Sequence, residues 1–254
     1  MTPRPRPHLI VVDDETMLAE MLARSFLSEA ALSVAARGIF NVALAGGSTP
    51  RVAYSLLASP AFRDALDWSR VRFFFGDERC VPPEHPDSNY RMAKETLFDP
   101  LSISAANAFR MRGEDEPAAA ARAYAEILAR ELGPSTACDL VMLGMGPDGH
   151  TASLFPGQPP DDGSADLVQV RTAPPAMHVL HRLTMTPRAI NAAREVAIAT
   201  TGAAKAQTVA AVLNGPYEPQ TYPVQIINPA SGRLTWLLDR AAASQLATQY
   251  SSSG

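Results

Sequence analysis

The chain has 254 residues, of which 46% are hydrophobic and 19% charged, with a formal net charge of −4 and two cysteines. This is ordinary globular composition, and a chain of this size buries enough surface to fold without disulfides or a structural metal. The mild acidity argues against nucleic acid or an anionic membrane surface as a partner. No apolar run has the length of a membrane span or a signal segment, and the distant Cys80 and Cys138 read as reduced thiols, so a soluble cytoplasmic protein is expected.

Strand and helix patterns alternate along the whole chain. His8–Val12 reads as a strand, followed by a helix with Leu18, Met21, Leu22 and Phe26 on one face. Residues 39–45 form a second strand, and Thr49 is placed to cap a helix with Pro50 at its first position. Val71–Phe75 is an apolar strand, Ser88 opens a helix reaching Leu97, and Pro117–Leu132 is an alanine-rich helix stopped by Gly133. Strands are expected at 139–143, 167–170, 182–185, 195–200 and 234–238, with helices from Pro187, over 203–213 and at the C-terminus. The alternation predicts a mostly parallel, Rossmann-like sheet in a three-layer α/β/α sandwich. The chain reads as one domain over 1–254, with flexible tails at 1–7 and 251–254 and its main loop at 156–164.

In such sheets ligands bind beyond the carboxyl ends of the strands. Four segments stand there. Gly46-Gly47-Ser48-Thr49-Pro50 reads either as a phosphate cradle, with helix N–H groups and hydroxyls facing a ligand, or as a tight turn with Thr49 as a plain cap. Asp77-Glu78-Arg79 follows a buried strand and is either a salt-bridged loop or a site. Gly144, Gly146 and Gly149 satisfy G-x-G-x-x-G, with Arg171 at the place of a 2′-phosphate reader. The Pro156 loop leaves room for only a short helix, which argues against a dinucleotide site. His150 follows the same glycines and is either a general base or a loop histidine.

The fourth segment is Thr201-Gly202-Ala203-Ala204-Lys205. Lysines are scarce, only Lys94 and Lys205 among 22 lysines and arginines. A lysine in the first helical turn opposes the helix dipole unless an anion shares the place. Arg182 is a weaker candidate of the same kind. His178 and His181 lack a third ligand, so no metal site is expected.

Taken in order, these segments resemble the 6-phosphogluconolactonase family. The resemblance runs from the Gly46–Pro50 loop through Gly76–Arg79, Asp87-Ser88-Asn89-Tyr90, Gly144–Pro156, Arg182–Thr186 and Thr201–Ala206 to the late strand with Asp239. It implies the three-layer fold shared with glucosamine-6-phosphate deaminases and related to ribose-5-phosphate isomerase. It also implies that neither metal nor organic cofactor is used. Two departures from the family pattern are a few extra residues over Pro174–His181 and the Thr186-Pro187-Arg188 join.

On this resemblance the substrate is 6-phosphoglucono-1,5-lactone, free in solution, acted on by a monomer or small homo-oligomer. Gly46, Gly47, Ser48, Thr49, Asp77, Arg182 and Lys205 are expected to bind it, with the phosphate near Lys205 and the Ser48–Thr49 loop. His150 is expected to activate water, with Asp148 orienting the loop or the imidazole, while Arg79 serves either the oxyanion or the phosphate. The deaminases are the nearest alternative. They carry a tyrosine where Arg79 stands and an Asn-Glu-Pro run after the histidine loop, where this chain has Leu154-Phe155-Pro156-Gly157. A sugar-phosphate sensor without turnover and an NADP oxidoreductase are the other readings.

Overall fold

Six parallel strands form the centre of the molecule. A computed structural model describes residues 7–159 and 165–247. In chain order its elements are β1 (His8–Val12), α1 (Glu15–Arg37), β2 (Phe40–Leu44), α2 (Ser48–Leu57), β3 (Val71–Phe75), β4 (Asp77–Arg79), α3 (Asn89–Ala93) and α4 (Pro117–Leu132). They continue with β5 (Leu140–Gly144), β6 (Val168–Thr172), β7 (His181–Met185), α5 (Pro187–Asn191), β8 (Glu195–Thr200), α6 (Ala206–Asn214), β9 (Arg233–Asp239) and α7 (Arg240–Ala243). The central sheet has the order β1-β9-β8-β5-β2-β3.

The inner strands β5 and β8 are apolar on both sides over most of their length, and their alternate residues enter different cores. Leu140 and Met142 of β5 pack with α1 and α2 around Leu22, Phe26 and Tyr54. Their neighbours Val141 and Leu143 pack on the other face with Tyr124, Leu128, Ile190 and Val209. Continuous apolar runs such as Val-Met-Leu are what a strand buried on both faces requires. The result is the expected three-layer α/β/α sandwich.

The strand order places a crevice. β2 leads into α2 on one face, whereas its neighbour β5 leads away from that helix into the glycine-rich segment around His150. Where adjacent parallel strands send their chains apart, the space beyond their carboxyl ends stays open.

Four local expectations change. First, Asp77-Glu78-Arg79, read as a loop or site, is itself a strand. It pairs antiparallel with β7, which pairs with β6, so a second three-stranded sheet sits beside the central one. Burial of Glu78 makes this possible, because its carboxylate accepts from the backbone N–H of Arg79, Asn89 and Tyr90 and from Ser88 Oγ. Second, Gly47, not Thr49, caps α2; its φ of 108° suits glycine, and no side chain makes a cap bond there. Third, the helix opened by Ser88 is α-helical only to Ala93 and continues over Lys94–Phe98 as a π-helical turn. Fourth, Lys205 ends a 3₁₀ turn over Ala203–Lys205 and immediately precedes α6. Of the tails expected at 1–7 and 251–254, residues 1–6 and 251–254 lie outside the described residues, as does the loop centre at 160–164.

Among the described residues no helix is long and apolar enough to cross a membrane. No three His, Cys, Asp or Glu side chains among them gather as a metal-ligand group.

Candidate active site

A cavity of about 230 Å³ opens at the carboxyl ends of β2, β3, β5 and β8. Its wall includes Gly46, Gly47, Ser48, Thr49, Asp77, Arg79, His150 and Lys205, eight of the ten residues singled out from the sequence. Asp148 and Arg182 are not on the wall, but each touches or faces a residue that is.

The segment after β5 is a tightly closed loop. Gly149 N–H donates to the Gly146 carbonyl at 3.0 Å, and Gly146 N–H donates to the His150 carbonyl at 2.9 Å. Thr151 Oγ1 donates to the Gly144 carbonyl at 2.7 Å, and Thr208 Oγ1 of α6 donates to Pro147 at 2.6 Å. Over the described residues 151–159 no helix follows; Thr151 and Leu154 form a single bridge within a turn. The helix that a dinucleotide fingerprint needs is therefore missing.

This loop holds a carboxylate–imidazole pair. Asp148 Oδ1 lies 2.6 Å from His150 Nδ1 and also accepts the His150 backbone N–H at 3.2 Å. Asp148 thus orients both the loop and the ring. An ionised carboxylate can only accept, so Nδ1 carries a proton, and in the neutral ring the lone pair is then on Nε2. Partial burial works to raise the Asp148 pKa, but the hydrogen bonds and charge of His150 outweigh it and hold the carboxyl below its ordinary value. Phe155 packs against the imidazole at 5.3 Å between ring centres.

Lys205 stands at the β8 side of the cavity. Its ammonium makes no hydrogen bond or salt bridge among the described residues. Desolvation lowers its pKa below the usual lysine value, and the charges of Glu15 and Asp239 pull only partly the other way. Asp239 holds the loop in front of the lysine by accepting Gly202 N–H at 3.0 Å and Ala242 N–H at 2.6 Å. Facing Lys205 is the start of α2, a helix end with free N–H groups. Thr49 Oγ1 lies 3.4 Å from Thr201 Oγ1 and 3.5 Å from Glu15 Oε1, so the β2 and β8 loops meet there.

Arg79 rises on the β3 side. Its Nη1 donates to the Asp87 carbonyl, while its buried Nε has no partner among the described residues. Across the β4–β7 pair Arg79 stands opposite Arg182, which is 7% exposed and also has an unpartnered Nε. Burial lowers the Arg182 pKa, and the charge of Arg79 adds to that. Like charges directly opposite on paired strands are destabilising, and an anion beside them relieves the conflict.

The sequence reading passed over three residues that shape the wall. Asn89, at the start of α3, donates from Nδ2 to the Asp77 carbonyl at 2.9 Å and to Asp77 Oδ1 at 3.0 Å. Ser153 Oγ donates to Asp77 Oδ2 at 2.6 Å and ties the histidine loop to β4. Glu15 lies beside Thr49. The asparagine and serine stand within the quoted motifs, where they read as a helix opening and a turn. Nothing local marks Glu15, which arrives from the start of α1.

Known proteins resemble this chain over most of its length. The profile of the family described as glucosamine-6-phosphate isomerases/6-phosphogluconolactonase matches residues 13–236. The chain is 37% identical over 247 residues to a 6-phosphogluconolactonase of a Synechocystis species, covering 94% of this chain and 98% of that one. It is 36% identical over 202 residues to the 6-phosphogluconolactonase of Haemophilus influenzae, covering 80% and 85%. The solved structure of the Trypanosoma brucei 6-phosphogluconolactonase superposes with a TM-score of 0.85 at 30% identity, covering 95% of this chain and 99% of that one.

Proposed function

The chain belongs to the glucosamine-6-phosphate isomerase/6-phosphogluconolactonase family, and from that premise we propose that it hydrolyses 6-phosphoglucono-1,5-lactone to 6-phosphogluconate, the second step of the oxidative pentose phosphate pathway. The observation that carries this reading is the Asp148–His150 pair on the wall of a cavity whose other side holds an unpaired lysine and a helix N-terminus. The first can activate water, and the second can hold a phosphate.

In this reading the 6-phosphate rests against Lys205 and the backbone N–H groups of Ser48 and Thr49, where Gly46 and Gly47 let it approach closely. His150 Nε2 takes a proton from a water molecule, whose oxygen bonds to the lactone carbonyl carbon. The carbonyl π electrons move onto oxygen, and the resulting oxyanion needs positive charge. Arg79 supplies it in our assignment. It lies on β4, the strand that follows β3, and shares the cavity wall with His150 and Lys205. The oxyanion then collapses, the bond from C1 to the ring oxygen breaks, and His150 returns its proton to that oxygen. Asp148 keeps the ring oriented and stabilises the imidazolium. Arg182 stands behind Arg79 and adds to the positive field. Asp77, held by Asn89 and Ser153, presents a fixed acceptor to the sugar. The reaction is placed in the cytoplasm, on a substrate free in solution.

The experiment is direct. Lactone generated in solution is followed to acid with and without purified protein at neutral pH. Disappearance well above the spontaneous rate supports the function; a rate equal to the spontaneous one overturns it.

A further inference from the structure

We propose that Asn89 determines substrate specificity, its carboxamide oxygen accepting a hydrogen bond from a ring hydroxyl of the sugar; this rests on the lactonase reading above. Three observations carry it. Asn89 is 3% exposed yet lies on the cavity wall, so the part of it still open faces the substrate space. Its orientation is fixed. The Asp77 carbonyl at 2.9 Å and carboxylate at 3.0 Å can only accept, so the amide nitrogen must face them and Oδ1 must point the other way. That oxygen accepts no hydrogen bond among the described residues. It lies against Gly46 so closely that a Cβ there would be 2.1 Å from it.

A carbonyl oxygen with a fixed direction and no protein donor, on a residue of the cavity wall, is open to a donor from a ligand. The backbone of Asn89 is fixed too, since its N–H donates to the buried Glu78 carboxylate at 2.8 Å. The oxygen therefore cannot swing to find another partner. A polyhydroxylated ring is a source of O–H donors, and a site built to bond one hydroxyl discriminates against an analogue lacking it. Gly46 fits this role, because any side chain at that position would occupy the space of the Asn89 oxygen.

The test compares the parent phosphorylated lactone with its 2-, 3- and 4-deoxy forms, using wild type, Asn89→Leu and Asn89→Ala. In wild type, kcat/KM should fall about tenfold for one deoxy form relative to the parent. In both variants the parent should drop to the level of that form, the ratio falling from about ten to about one, while the other two ratios stay as in wild type. Loss of the Asn89 grip on Asp77 would instead remove the ratio for the hydroxyl that Asp77 accepts, which Asp77→Ala in the same series identifies. That result, or a wild type indifferent to all three deletions, overturns the proposal. Asn89→Ala removes the carboxamide without putting new bulk against Gly46, so the comparison stays readable if the leucine variant does not fold. Failure of wild type to turn over the parent lactone is a different result: it overturns the functional reading itself, and this proposal with it.

Discussion

The imidazole of His150 lies directly over Gly146. A Cβ on Gly146 would stand 2.2 Å from both Cε1 and Nδ1 of the ring and 2.7 Å from Asp148 Oδ1. The third wall of the carboxylate–imidazole pair is thus the absence of a side chain. Gly146→Ala should displace the ring while leaving the loop's backbone hydrogen bonds available. A shift of about 1 Å at a reacting group costs on the order of 10²-fold in rate. The expected outcome is a loss of that size in kcat with a much smaller change in Tm, read by steady-state kinetics and thermal melting. Wild-type kcat in the alanine variant would show that the ring position has no bearing on turnover.

Lys205 predicts a split between two substrates. Lys205→Ala should raise KM for the phosphorylated lactone about ten- to a hundredfold, the equivalent of about 1.5–3 kcal/mol for a charge-assisted hydrogen bond. Glucono-lactone without the phosphate should be little affected. Lys205→Arg should restore only part of the loss, since a planar fork replaces a compact charge. Equal losses on the two lactones would assign Lys205 to the chemistry or the fold.

The same lysine predicts a pH dependence. Desolvation lowers its pKa below 10.5, against the smaller pull of Glu15 and Asp239, so the folded protein releases this proton at lower pH than the unfolded chain does. Between the two pKa values the unfolded state binds more protons, and this group's contribution to stability therefore rises with pH. Binding runs the opposite way, because phosphate needs the ammonium. Affinity for the product 6-phosphogluconate should weaken as pH climbs through the lowered Lys205 pKa, and Lys205→Arg should flatten that limb. Titration calorimetry from neutral to alkaline pH checks it; parallel curves for the two proteins would exclude Lys205 as the titrating group.

Glu78 predicts a structural effect with a kinetic echo. Its buried carboxylate receives three backbone N–H groups and one hydroxyl, and burial still raises its pKa despite them. Glu78→Gln turns an amide NH₂ toward some of those donors. The expected cost is about 1–3 kcal/mol of stability, read from denaturant melts. Arg79 and Asn89 both hang from Glu78, so kcat/KM should fall as well. An unchanged melt would mean that the α3 N-terminus is held by other contacts.

Much of the scaffold was legible because local chemistry and tertiary structure agree. Pro117 at the first helical position and Gly133 after the last bound α4 where the pattern places it. β8 is apolar from Val196 to Ala199 and is recognised from that run alone. β4 was not legible. Asp-Glu-Arg has no strand propensity, and its pairing comes from β7, more than a hundred residues later. The cavity wall was legible to the same degree. His150, Lys205 and the Gly46–Thr49 loop declare themselves through residue type after a strand. Asn89 and Ser153 matter through what they hold, and only the folded chain shows that both grip Asp77.

The most direct test of the account is the turnover of 6-phosphoglucono-1,5-lactone by wild type and His150→Ala, measured side by side and corrected for spontaneous hydrolysis. Removing a general base should lower kcat by about 10²–10⁴-fold with a smaller change in KM. Because Asp148 acts through the ring, Asp148→Asn should lower kcat in wild type and add little in the His150→Ala background. A His150→Ala protein that turns over the lactone at close to the wild-type rate would contradict the mechanism at its centre.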